Sequence, residues 1–173
     1  ICMKINIRSF IIMSNIMDTA LNQKYHKKIG SKGKTYGIYL DGLGVLFFMQ
    51  GNLQRNGETT PISVYLDELR EHQEVRVSRK ERVQKQKTNF RELLDEYKNV
   101  LLEVVGDYGH TLRTLKPTDH VVVAVDFDRV WGYDKSVPNR FIMNVQKKDL
   151  DTYNRGNLKL AEFRQKVKFM EYY

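Results

Sequence analysis

His120-Val121-Val122-Val123-Ala124-Val125-Asp126-Phe127 is the stretch on which the fold turns. Its five successive aliphatic residues are mostly branched at Cβ, which removes rotamer freedom in a helix and suits a pleated strand. A compact apolar run of this kind belongs at the centre of a sheet.

Working toward the C-terminus, Asp128 to Pro138 reads as a loop containing Trp131-Gly132-Tyr133, and Phe141 to Val145 as a further strand. Lys147 to Asn154 is expected to be helical up to Gly156. Asn157 is expected to cap a last helix to about Lys166, and Val167 to Tyr172 to close the sheet. On the N-terminal side, Tyr108 to Leu115 reads as a short helix before Lys116-Pro117.

Before it lies the longest run free of Pro and Gly, the 44 residues from Ile62 to Val105. As one helix it would reach about 66 Å. Thr60-Pro61 resembles an N-cap followed by Pro at the first helical position. Between Arg70 and Lys87 the only aliphatics are Val75, Val77 and Val83, against seven basic and three acidic residues, so this part has little to bury. From Phe90 the stripe Phe90, Leu93, Leu94, Tyr97, Leu101, Val104 and Val105 faces a core and ends at Gly106. Asn89-x-x-Glu92 is a capping-box spacing, so two helices meeting near Thr88 are expected in preference to one rod. Residues 62–88 then form a charged helical extension that projects from the domain.

Nearer the start, Thr35 to Leu40 and Val45 to Gln50 are strand-like and flank Asp41-Gly42-Leu43-Gly44, a hairpin signal whose second Gly suits a bulge. Tyr25 to Lys34, rich in Lys and Gly, reads as an exposed loop, and so does Gly51 to Pro61. Phe10, Met13, Met17, Ala20 and Leu21, widened by Ile12 and Ile16, mark the apolar stripe of a helix from about Arg8 to Gln23. The sum is a single α+β domain over residues 1–173, a mainly antiparallel sheet of about five strands with helices on one face.

Composition narrows the function classes. A hydrophobic share of 41% with 29% charged residues excludes general disorder. The formal charge of +8 favours acidic partners: nucleic acid, anionic lipid or an acidic protein surface. Cys2 is the one cysteine, so no internal disulfide forms. The longest uncharged stretch near the start, Ser9 to Met17, is far short of the about 20 residues that span a bilayer.

The segments Tyr39-Leu40-Asp41-Gly42-Leu43-Gly44-Val45-Leu46-Phe47, Tyr108-Gly109-His110-Thr111-Leu112-Arg113-Thr114-Leu115 and Asp151-Thr152-Tyr153-Asn154-Arg155-Gly156 together resemble a recurrent pattern of bacterial envelope and secreted proteins with no assigned activity. The resemblance spans most of Thr35 to Tyr172. It implies an exported, periplasmic or secreted protein, and it reads the first residue, Ile1, as the end left by signal removal.

Chemistry is thinly signalled. Asp126-Phe127-Asp128 places two carboxylates on one face of a strand, the donor type for Mg²⁺ or Mn²⁺, yet such a pair also ends a buried strand at solvent. Gly42-x-Gly44 leads into a strand and not into a helix whose amides would cradle phosphate. His26, His72, His110 and His120 show no zinc spacing, and no G-x-S-x-G elbow occurs. No cofactor is expected, and the balance leans away from an enzyme. Arg76, Arg79, Arg82 and Lys85 form a basic helical segment without aromatics for base stacking, which suits a protein-docking face better than nucleic acid. Trp131 and Tyr133, beside Arg129, Lys135 and Arg140, have the composition of an interface anchor. The expected role is a non-catalytic structural or adaptor protein of an envelope assembly, filament-associated or self-assembling. A nucleic-acid binder using residues 76–87 is the alternative, and a metal-dependent enzyme the second alternative.

Overall fold

The computed structural model describes residues 7–24, 29–53, 75–127 and 138–173, with backbone alone at 24 and 75–89. Helix α1 (Ile7–Lys24) leads into strands β1 (Ile29–Ser31), β2 (Tyr36–Leu40) and β3 (Gly44–Leu53). Helix α2 (Val75–Tyr108) and a 3₁₀ turn at Gly109–Thr111 precede β4 (His120–Phe127) and β5 (Arg140–Gln146). Helices α3 (Lys147–Asn154) and α4 (Leu160–Lys166) and strand β6 (Lys168–Tyr172) complete an α+β fold.

The valine-rich strand is central, as its composition requires: the order is β1-β3-β4-β5-β6, with β2 also paired to β3. All pairings are antiparallel except β3 with β4, which run parallel. A parallel pair needs a crossover, and α2 lies within that connection. Alternate residues of each strand point to the helices. Val45, Phe47, Val121, Val123, Val125, Phe141 and Met143 are fully or almost fully buried there with Met13, Met17, Leu94, Leu101, Leu150 and Phe163. Tyr97 sits edge-on to Phe127 and Phe141, centroids 5.3 and 6.0 Å away, and its hydroxyl donates to the Gly30 carbonyl at 3.2 Å.

Several boundaries differ from the sequence reading. Tyr25–Lys34 reads as an exposed loop in the sequence, but Ile29–Ser31 form β1, with Ile29 buried opposite Leu53. β3 therefore continues through Gly51–Leu53, because β1 takes over where β2 stops. Pairing supplied by a distant segment, not local propensity, makes these strands. Helix α2 passes Thr88 and Asn89 without interruption. A capping spacing only offers an alternative to helix, and with no Pro or Gly before Gly106 nothing forces it. Gly106 does not end α2 either: a Cβ there would lie 3.0 Å from Tyr153 and 3.1 Å from Phe163, so this glycine admits the stacked Tyr153–Phe163 rings. Of Tyr108–Leu115, Tyr108 is the last residue of α2 and Gly109–Thr111 form a 3₁₀ turn, and no separate helix runs on to Leu115. Lys159, not Asn157, caps α4, its amide donating to Glu162 at 2.8 Å. On α1, Phe10, Met13, Met17 and Leu21 are buried, while Ile12 is 44% exposed. Of the proposed 62–88 extension, the part before Val75 lies outside the described residues.

Candidate interaction surface

With the described helices on one side, the strand residues of opposite parity form the other side of the sheet. Register sets them in rows. Tyr36 pairs with Phe48, Phe48 with Ala124, Ala124 with Ile142 and Ile142 with Met170, an apolar row across five strands. A neighbouring row runs Ile38, Leu46, Val122 and then turns polar at Asn144 and Lys168. Val122 and Ala124, each 8% exposed, are buried at the middle of these rows and stand outside the core cluster. Toward the edges Tyr36, Ile38, Leu40, Phe48, Met170 and Tyr172 are 40–67% exposed. An exposed apolar residue alone needs no explanation, whereas a contiguous belt marks an interaction site.

Polar groups frame this belt. Arg140 Nη2 donates to Asp126 Oδ2 at 2.9 Å, and its Nε engages Asp126 Oδ1. That hydrogen bond and the carboxylate charge raise the Arg140 pKa further. Both Asp126 oxygens are thus occupied by a guanidinium in the arrangement suited to a carboxylate. At the far end the His120 ring, through Nδ1, lies 2.7 Å from Asn144 Oδ1.

On the helical side the C-terminal strand is tied to α2. Lys98 Nζ donates to Glu171 Oε1 at 2.5 Å and sits 5.9 Å from the centroids of Phe141 and Phe169. Arg91 reaches Glu171 Oε2 at 3.1 Å and the Tyr173 hydroxyl at 3.0 Å, and Tyr173 donates to the same carboxylate at 2.7 Å. Burial pushes the Glu171 pKa up, but hydrogen bonds from Lys98 and Tyr173, with the charges of Lys98 and Arg91, outweigh it and hold the carboxyl below its usual range. Asp18 is a second structural hub, accepting from Ser31 Oγ at 2.9 Å, Thr35 N at 3.0 Å and Thr35 Oγ1 at 2.5 Å. An open groove of about 770 Å³ between α2 and α4 is lined by Glu92, Asp95, Glu96, Glu103 and Arg164. Among the described residues no group of three His, Cys, Asp or Glu side chains is placed to hold a metal ion, and no helix is long and apolar enough to cross a membrane.

Arg76, Arg79, Arg82 and Lys85 fall on the first half of α2, where only the backbone is described. Trp131, Tyr133 and Asp128 lie outside the described residues. The belt escaped the sequence reading, although it had a signal: Val45-Leu46-Phe47-Phe48-Met49 is apolar on both parities, and so is Val121–Val125. Strands apolar on both faces, in a sheet whose described helices lie on one face, leave apolar residues on the other.

No protein-family model matches the chain. No curated protein and no solved structure matches it either.

Proposed function

We propose that this chain is a non-catalytic structural or adaptor component of a bacterial envelope assembly, joined to it through the open face of its sheet. One observation carries the docking role: the apolar row from Tyr36 through Phe48, Ala124 and Ile142 to Met170 crosses five strands on the side away from the helices. Keeping such a row wet costs about 25 cal/mol per Å² that a partner recovers. The envelope setting follows from the resemblance of the Tyr39–Phe47 hairpin and its companion segments to exported proteins. Arg76, Arg79, Arg82 and Lys85, together with Trp131 and Tyr133, supply further contacts, and an overall charge of +8 favours an acidic neighbour for them. A catalytic role has less support, because Asp126, the described half of the acidic pair, is engaged by Arg140.

Hydroxyl-radical footprinting of gently lysed producing cells, compared with dilute purified protein, tests the docking role. Phe48, Tyr36 and Met170 should be protected in the lysate at least threefold relative to Tyr108, which is 44% exposed on α2. Equal labelling in both samples defeats the reading.

A further inference from the structure

We infer that the partner on the open face is a second copy of this chain, stacked sheet on sheet; the inference rests on that face being the docking surface. Area comes first. The exposed fractions of Tyr36, Ile38, Leu40, Phe48, Met170 and Tyr172 leave on the order of 600 Å² of apolar-residue surface, at the top of what monomers carry. With half-buried Leu46 and Ile142 and the polar frame, the face approaches the about 800 Å² that each partner brings to a stable interface.

Shape selects the kind of partner. Five strands at about 4.8 Å spacing make the belt about 24 Å wide, whereas a docked helix is about 10–12 Å across and would leave half of it wet. A second sheet of the same width covers all of it, at the roughly 10 Å separation of stacked sheets. The same patch on both subunits is what a two-fold dimer uses.

Charge permits the pairing despite +8 on each copy. Asp126 and Arg140 neutralise one another within the face, and Lys168 lies on the edge strand β6, at the rim where charges stay solvated. The apolar row itself therefore brings no like charges together.

Sedimentation equilibrium from about 1 μM to about 500 μM tests this, on the wild type, Ile38→Asp/Phe48→Asp, and Tyr108→Asp as a control aromatic away from the face. The wild type and Tyr108→Asp should reach twice the 20.4 kDa monomer mass, and the double variant should show a Kd at least 100-fold weaker with an unchanged far-UV spectrum. A wild type that stays monomeric throughout, or a folded double variant that dimerises as tightly, overturns the inference. Should the double variant unfold, footprinting the wild type across the same concentrations decides: Phe48 and Tyr36 must become protected in step with dimer mass, and a dimer that leaves them reactive is not this one. A monomeric wild type whose Phe48 and Tyr36 are nevertheless protected in cell lysate removes the second copy but keeps the docking face. Exposure in both settings removes both.

Discussion

Gly42 and Gly44 stand two residues apart in one turn, yet replacing each by Ala should have very different costs. Gly42 has φ +78° with open space where a Cβ would go. An alanine there bears about 1–2 kcal/mol of left-handed strain, offset by about 0.4–1 kcal/mol from a stiffer unfolded chain, for a net loss of about 1 kcal/mol. Gly44 has φ +118°, and its Cβ would lie 2.6 Å from the His120 amide nitrogen and closer still to the His120 carbonyl oxygen. These are backbone atoms of the adjoining central strand, since Gly44 is in register with His120. Relief requires opening the first step of the parallel β3–β4 ladder, including the His120 N–H donated to the Leu43 carbonyl at 2.7 Å. Backbone strain of about 1–3 kcal/mol, overpacking of about 1–3 kcal/mol and a weakened hydrogen bond of about 1 kcal/mol put the loss at about 3–7 kcal/mol. Against a typical stability of about 5–15 kcal/mol, the midpoint of urea unfolding followed by circular dichroism should fall steeply for Gly44→Ala and little for Gly42→Ala. Equal midpoints for the two variants would refute both the parallel register and the close approach at His120.

Two further outcomes follow from the charges. Because the Glu171 carboxyl is held below its ordinary 4.5, its contribution to stability is complete above that pH and disappears as the pH falls through the lower folded value. Wild type should therefore exceed Glu171→Gln by about 1–2 kcal/mol at neutral pH, with the gap narrowing as the pH falls below the ordinary 4.5 in urea titrations at stepped pH; a gap independent of pH would remove Lys98 and Tyr173 as its cause. Reversing Arg76, Arg79, Arg82 and Lys85 to Glu should leave folding intact and weaken recovery of the native assembly, while generic DNA or RNA binds neither form at physiological salt in filter assays; tight binding by wild type that falls steeply with salt would favour the nucleic-acid alternative.

Local chemistry was enough to define much of this protein. Five aliphatics in Val121–Val125 dictated a central strand, the Asp41–Gly44 turn dictated the hairpin, and stripes of three and four spacing dictated the buried sides of α1 and of α2 from Phe90 onward, because in each case the residues that decide are neighbours along the chain. Tertiary structure decided what depends on partners far apart in sequence. Ile29–Ser31 became a strand only because Gly51–Leu53 lay free beside it, and Gly106 continued a helix because Tyr153 and Phe163, some fifty residues on, stack over it. The candidate site is the clearest case. That Phe48 and Tyr36 are apolar is written in the chain, but that they share one row with Ala124, Ile142 and Met170 depends on register across four strand pairings and on the described helices packing against the opposite face, and strand alternation alone cannot say which face those helices will take.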